Sequence, residues 1–189
     1  MASAIFTTSA IPSVDPSQLT ITRLRALRGP NYWRLSPVIA CDLRLGPLEA
    51  LDPGAVPGCL DGLFEALPGL RARGCDSYER PGWPHLLAQT TLELQSAVAP
   101  ELRFYRTVRW SGESAWWVIV EYHEEQVGLE AVRRAADLLR AAIAGAAFDV
   151  PAALADLRTL YDEERLGPST TVLVEEARRR GIPVRRIGS

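Results

Sequence analysis

The stretch that decides the fold reads RFYRTVRW (Arg103–Trp110), SGES (Ser111–Ser114) and AWWVIVEY (Ala115–Tyr122). Two runs rich in aromatic and β-branched residues flank a short turn-forming segment, and this pattern predicts a β-hairpin. The second run contains Trp116–Val120, the most strand-like part of the chain. We expect it to be a central strand of a sheet, covered on both faces.

The rest of the chain supplies further strands and the helices that cover them. Leu19–Leu27 and Val38–Leu45 alternate as half-buried strands do. Apolar spacings of three and four predict helices at Cys59–Leu67, His85–Gln95, Leu129–Ile143, Pro151–Arg165 and Ser169–Arg180, whereas Arg71–Pro84 has little periodicity and is expected to be a loop. This order predicts an α+β fold, with an antiparallel sheet of about four strands packed against several helices. Residues 1–18 are expected to form a flexible leader, and residues 19–189 a single domain.

The amino-acid composition gives no indication of a nucleic-acid-binding, membrane or secreted protein. The 189 residues carry a net charge of −2, so nothing indicates a nucleic-acid-binding surface. No apolar run is long enough to cross a membrane, and the first residues lack the pattern of a secretory signal. Cys41, Cys59 and Cys75 form no C-x-x-C pair and suit reduced thiols in a cytoplasmic protein. All 21 basic residues are arginine, which genome base composition explains and which a carboxylate-binding site would also favour.

The predicted helix at His85–Gln95 has the spacing of a metal-binding helix without its chemistry. His85 and Gln89 lie one turn apart on one face, as the two histidines of an H-x-x-E-H motif do. Ala88 takes the place of the acid, and Gln89 takes the place of the second histidine. Alanine cannot polarise a water molecule and glutamine is a poor zinc ligand, so we expect no metal site and no cofactor.

Several uncommon strings resemble the N-terminal domain of cyanophycin synthetase. They are LRGPNYW (Leu27–Trp33), LELQ (Leu92–Gln95) and LGPST (Leu166–Thr170) followed by RGIP (Arg180–Pro183). Shorter matches lie at Arg106-Thr107 and around Glu121–Gly128, so the resemblance runs in order through nearly the whole chain.

The resemblance implies a role in the metabolism of a polymer of aspartate that carries arginine on its side chains. The family makes this polymer with an ATP-grasp domain and a Mur-ligase-like domain, which follow the segment seen here. Its N-terminal domain holds the growing polymer and contacts the rest of the enzyme. In some members it also carries a metal-dependent hydrolytic site on an H-x-x-E-H helix, of which only His85 is retained here.

The leading hypothesis is therefore a non-catalytic module that binds the aspartate and arginine polymer or docks onto a synthetase partner. The candidate polymer-binding residues, chosen from the resemblance and from their positions, are Arg28, Asn31, Trp33, Arg106 and Glu125. Core packing of Trp33 is an equally good interpretation, and a helix cap or a remnant of a lost site accounts for His85.

Two other hypotheses remain open at this point. A hydrolase of the polymer would need unusual ligands or catalytic groups drawn from His85, Glu93, His123 and Glu125. A purely structural role, as an oligomerisation domain that forms a homo-oligomer, would need none of them.

Overall fold

A four-stranded antiparallel sheet and six α-helices make up the part of the chain that the computed structural model describes, residues 14–73, 82–110, 115–164 and 168–184. The strands lie in the spatial order β1-β2-β4-β3. Their bounds are Thr20–Leu27 (β1), Val38–Arg44 (β2), Tyr105–Arg109 (β3) and Ala115–Glu121 (β4). The helices are Cys59–Ala66 (α1), Gly69–Ala72 (α2), Trp83–Ser96 (α3), Glu125–Ala144 (α4), Val150–Glu164 (α5) and Pro168–Arg179 (α6). The predicted α+β fold is confirmed.

The predicted hairpin is the pair β3 and β4, in which Arg106 lies opposite Ile119 and Arg109 lies opposite Trp116. Its turn, 111–114, lies outside the described residues. Strand β4 is central as predicted, because it also pairs with β2.

The two faces of β4 differ. Trp116, Val118 and Val120 belong to the main core beneath the helices. Trp117 and Ile119 belong to a small separate cluster on the opposite face. The expectation that both faces are covered therefore holds fully for one face and only partly for the other.

Helix α3 departs from the amphipathic pattern expected of His85–Gln95, because it is buried on nearly all sides among α4, β3 and β4. Two of its buried polar side chains are satisfied internally, whereas the buried hydroxyl of Thr90 has no hydrogen-bond partner among the described residues. The Thr91 hydroxyl donates to the carbonyl oxygen of Leu87 (2.7 Å), and Gln95 Nε2 donates to that of Glu121 (3.1 Å). Polar side chains can therefore pack inside the protein here, because backbone carbonyl groups accept their hydrogen bonds.

Helix α4 packs against the sheet, and at Gly128 it comes very close to Ile39 of β2 and to Tyr122 just after β4. A Cβ added there would stand 2.8 Å from the Cβ of Tyr122 and 3.1 Å from Cγ1 of Ile39. Only glycine allows this approach.

The segment expected to be a loop, Arg71–Pro84, is helical at both ends, since α2 runs to Ala72 and α3 begins at Trp83. Its middle, 74–81, lies outside the described residues. Helix α6 begins at Pro168, one residue before the predicted start, and Gly181 follows its end with φ +70°.

Two of the three cysteines lie in the described part of the chain, and both are buried free thiols. Burial raises the pKa of Cys41 to about 12 and that of Cys59 to about 11. Cys75 lies outside the described residues.

Part of the expected leader is structured. Pro16–Gln18 form a short 3-10 turn, in which Asp15 accepts a hydrogen bond from the backbone N–H of Ser17 (2.9 Å). Val14 packs against the core, and residues 1–13 lie outside the described part of the chain. Among the described helices, none has both the length and the apolar character needed to span a bilayer.

Candidate functional site

One face of the sheet, called here the open face, carries a small apolar cluster to which no described helix contributes. Its small apolar cluster comes from Val38, Ala40 and Ile119, with Leu27, Trp33, Phe104 and Trp117 packed around them. Cross-strand partners share a face. The register therefore also places Arg23, Arg25, Asp42 and Arg106 on the open face.

The loop 28–37 folds over one end of the open face, and Asn31 holds it in shape. Oδ1 of Asn31 accepts hydrogen bonds from the backbone N–H groups of Trp33 (2.9 Å) and Arg34 (3.1 Å). Its Nδ2 donates to the carbonyl oxygens of Ser36 (3.0 Å) and Leu27 (3.5 Å). Asn31 is therefore a positioning residue in this structure.

Gly29 is required by the same loop. A Cβ at this position would overlap the backbone carbonyl oxygen of Leu35. The string LRGPNYW thus encodes a tight loop, and this loop positions its last residue, Trp33, on the open face.

Four aromatic side chains follow one another across the open face, and we call them the aromatic row: Tyr32, Trp33, Trp117 and Trp110. Successive ring centroids lie 5.1, 5.5 and 5.3 Å apart. Tyr32 is 90% exposed and Trp110 is 43% exposed, so both ends of the row face solvent. Aromatic rings exposed in this way offer faces to planar cations.

Charged side chains flank the aromatic row. The guanidinium carbon of Arg106 lies 5.9 Å from the ring centroid of Trp33, and that of Arg34 lies 4.5 Å from the ring of Phe104. Arg34 also pairs with Glu121 at 3.8 Å.

A second ion pair closes the loop end of the open face. Arg28 Nε lies 2.9 Å from Oε2 of Glu125, and this hydrogen bond raises the pKa of the Arg28 guanidinium. Burial, and next the charge of Glu125, raise the pKa of the neighbouring Tyr122 to about 12.

The structure brings the five predicted binding residues to one end of the open face. Four of them form two contacting pairs, and the fifth positions the loop. Arg28 contacts Glu125, Arg106 lies over Trp33, and Asn31 shapes the loop that carries Trp33. Trp33 is half-buried, so it packs and also presents part of its surface. Whether these residues bind polymer stays a prediction.

Sequence reasoning missed Trp117, Trp110 and Asp42 as members of this surface. Trp117 lies in a strand expected to be covered on both faces, yet it points away from Trp116 because adjacent residues of a strand point to opposite faces. In β2 apolar and polar residues alternate, so Asp42 points to the other face of the sheet from Cys41. This alternation is the signal in the sequence that could have identified the open face.

His85 lies in a different place, at the first turn of α3. Its Nδ1 is 3.2 Å from the hydroxyl of Tyr105, and burial lowers the pKa of the imidazole. It borders a cleft of about 250 Å³ together with Glu49, Asp52 and Trp116. Glu49 is already held there, by Arg109 at 2.8 Å and by the indole N–H of Trp116 at 3.0 Å.

The groups proposed for a hydrolase are scattered. Glu125 pairs with Arg28 just past Glu121, the last residue of β4. Gln95 of α3 lies at this same end of β4, because it donates to the carbonyl oxygen of Glu121. His85 precedes Gln95 by about 15 Å of helix. Glu93 is engaged by Arg73 at 2.7 Å, and His123 is exposed in the loop before α4.

The positions of the missing metal ligands, Ala88 and Gln89, are both buried within α3. Among the described residues, no group of three or more His, Cys, Asp or Glu side chains is placed to hold a metal ion.

Comparison with known proteins identifies the family. The model of the cyanophycin synthase-like N-terminal domain matches residues 40–144, from the middle of β2 to the end of α4. The chain is 31% identical over 180 residues to the cyanophycin synthetase of Trichormus variabilis, which covers 87% of this chain and 20% of that protein. It is 33% identical over 180 residues to the cyanophycin synthetase of Synechocystis sp., covering 87% of this chain and 21% of that protein.

The chain thus spans about a fifth of the length of the curated relatives it matches. With the family model covering more than half of its residues, the chain belongs to the family of cyanophycin synthase-like N-terminal domains.

Proposed function

We propose that this chain is a non-catalytic module that binds, on its open face, a polymer of aspartate carrying arginine side chains. The observation that supports the proposal is the aromatic row together with the flanking Arg28, Arg34 and Arg106. A polymer of this kind carries guanidinium and carboxylate groups in alternation. The open face offers a partner to each of them.

The physical argument concerns both charges of such a polymer. Guanidinium groups stack on indole rings, which bind a planar cation better than phenyl rings do. Carboxylates pair with arginine through bidentate hydrogen bonds. The exposed Arg106 and the half-buried Trp33 would meet neighbouring groups of one polymer chain.

Isothermal titration with short β-aspartyl-arginine oligomers tests the proposal. Arg106→Ala should lower the affinity by about three- to tenfold, since it removes one charged contact. Arg133→Ala on α4 is the matched control, because Arg133 pairs only with its helix neighbour Glu130 among the described residues. Absence of binding by the unaltered protein, or equal losses in the two variants, would refute the proposal.

A second candidate function is docking onto a synthetase partner, and the tip of the loop 28–37 favours it. Tyr32 and Leu35 are 90% and 83% exposed, which is unusual for large apolar residues on one short loop. A pull-down with a purified synthetase would detect this docking. Leu35→Ser should abolish it while leaving oligomer binding unchanged.

The same preparations address hydrolysis. Oligomer incubated with the protein, with and without added zinc, should remain intact by mass spectrometry. The buried thiols of Cys41 and Cys59 suit a protein that works in the reducing cytoplasm, where we place it.

A further inference from the structure

We propose that a cleft on the open face, away from the loop 28–37, binds one N-acylated arginine with a free carboxylate. The cleft measures about 280 Å³ and is lined by Arg23, Asp42, Arg44, Trp110 and Trp117, among others. The guanidinium of the ligand lies between Asp42 and the indoles of Trp110 and Trp117, and its carboxylate pairs with Arg23. This inference deepens the proposed function and rests on it for the polymer from which the arginine comes.

The carboxylate of Asp42 is the first observation. It lies in β2, opposite Trp117 of β4, and its Oδ1 is buried without a hydrogen-bond partner among the described residues. The guanidinium of Arg25 is 3.8 Å from this oxygen, which is an ion-pair distance and too long for a hydrogen bond. Arg25 Nε is likewise buried without a hydrogen-bond partner among the described residues, so Oδ1 is turned toward Arg25. The Asp42 side chain as a whole is 21% exposed, and this exposed part is what a ligand cation would meet.

The indole pair is the second observation. Trp110 and Trp117 have ring centroids 5.3 Å apart and planes inclined by 53°, and Trp110 is exposed beside the cleft. Inclined rings form two walls of a wedge. A planar guanidinium fits against such a wall with its edge directed at a carboxylate, whereas a hydrated ammonium does not.

The charge around Asp42 decides which arginine compounds bind. Arg23 is the cross-strand partner of Asp42. Among the described residues, the structure gives no ion pair between the Arg23 guanidinium and an acidic side chain. A ligand with a guanidinium alone would meet repulsion from Arg23 and Arg25. A ligand that also carries a carboxylate satisfies Arg23, because directly opposite side chains have Cβ atoms about 5 Å apart.

The size of the cleft fits this ligand. Its volume equals that of about nine water molecules, which is enough for one arginine side chain. In a β-aspartyl-arginine unit the arginine amine is acylated and its carboxylate is free. The cleft therefore matches the repeating side chain of the proposed polymer.

The test uses small probes and the full chain. Nα-acetyl-arginine is titrated while the indole N–H resonances are followed by NMR, with Trp110→Phe and Trp117→Phe assigning two of the five signals. We expect shifts at Trp110 and Trp117 and none at Trp83, whose indole N–H donates to the Leu51 carbonyl oxygen inside the core.

Two altered probes separate the two charges. Nα-acetyl-citrulline, which lacks the cation, should not bind, and Nα-acetyl-arginine amide, which lacks the carboxylate, should bind several-fold more weakly. Asp42→Asn should weaken Nα-acetyl-arginine by at least about tenfold. Asp156→Asn on α5 is the matched control and should change nothing, and thermal melting of both variants verifies that they fold.

The outcomes separate this inference from the proposed function. Equal binding of the citrulline probe, unchanged affinity in a folded Asp42→Asn variant, or absence of indole shifts overturns the cleft. Oligomer binding that survives any of these results leaves the proposed function standing. Binding of Nα-acetyl-arginine without binding of the oligomer supports the cleft and refutes the proposed function.

Discussion

Gly128 allows helix α4 to approach Ile39 of β2 and Tyr122 closely. In Gly128→Ala the new Cβ would press on Tyr122 and Ile39. We expect the free energy of unfolding to fall by about 1–3 kcal/mol, as in other overpacked cores. Urea denaturation measures the change.

The matched control is Gly62→Ala in α1, where a new Cβ would have no atom within 4 Å. Alanine favours a helix more than glycine does, so this variant should gain about 0.5–1 kcal/mol. Changes of the same sign in the two variants would contradict the close packing at Gly128.

Arg73 joins three parts of the chain. Its guanidinium donates to Glu93 (2.7 Å), to Ser96 Oγ (2.9 Å) and to the carbonyl oxygen of Leu102 (2.9 Å). Its side chain is 13% exposed and that of Glu93 is 21% exposed, so some solvent screening applies. Arg73→Ala should cost about 2 kcal/mol of unfolding free energy.

The comparison for this prediction is Arg103→Ala. Arg103 pairs with Glu101 at 2.8 Å, but both side chains are largely exposed. Exposed pairs contribute little, and this variant should melt at the same temperature as the unaltered protein. A larger loss in Arg103→Ala than in Arg73→Ala would be inconsistent with the buried network.

His85 makes stability depend on pH. Burial lowers the pKa of its imidazole in the folded protein below the ordinary value of 6.5. The unfolded chain therefore binds more protons around and below pH 6.5, and the free energy of unfolding should fall as the pH drops through that range.

His85→Gln should flatten this fall below about pH 6.5, whereas His123→Gln leaves His85 in place and should keep the fall unchanged. Thermal melting across this range is the measurement. An unchanged slope in His85→Gln would show that other groups set the pH dependence.

At the level of an element, the loop 28–37 depends on one side chain. Asn31→Ala removes the acceptor of the Trp33 and Arg34 amides, so both should exchange with solvent at least about tenfold faster. Asn31→Asp keeps the acceptor oxygen but loses the Nδ2 donations to Ser36 and Leu27, so it should preserve this protection only in part. Hydrogen exchange followed by NMR is the measurement, and unchanged exchange of both amides in Asn31→Ala would show that Asn31 does not hold the loop.

Elements with strong periodicity could be predicted from the sequence, and those whose neighbours decide their environment could not. In the hairpin the residue types alternate with a period of two, and in α4 the apolar residues recur at steps of three and four. Helix α3 was expected to be amphipathic because Leu87, Thr91, Leu94 and Val98 step by three and four, yet Gln95, outside this stripe, is buried too and donates to the carbonyl oxygen of Glu121.

The candidate site shows the same limit. LRGPNYW pointed to the loop, but the contact of Arg28 with Glu125 joins residues 97 positions apart. No local pattern encodes such a pair. The outward orientation of Trp117 followed from strand register, which becomes certain only once the neighbouring strands are placed.

At the scale of the whole molecule, charge is nearly balanced, with a net value of −2. Long-range steering of a polymer should therefore be weak, and salt should act on the local ion pairs of the open face. Raising the ionic strength from about 0.05 to about 0.5 M should weaken oligomer binding several-fold, mainly through faster dissociation.

Surface plasmon resonance with immobilised oligomer gives both rates at each salt concentration. Thermal melting in the same buffers provides the control for folding. An oligomer affinity that does not change with salt would contradict this prediction and would indicate that apolar contacts, such as those of Tyr32 and Leu35, dominate binding. The same series by light scattering reports whether the chain forms a homo-oligomer, with and without polymer.

The seven residues of β4 contribute to two properties at once. Trp116, Val118 and Val120 anchor the helices, while the residues between them face the other way. Deleting a single residue within this strand would reverse the orientation of every residue on one side of the deletion, because successive side chains of a strand point to opposite faces. Relatives of this chain should therefore tolerate changes of side chain in β4 far better than any change in its length.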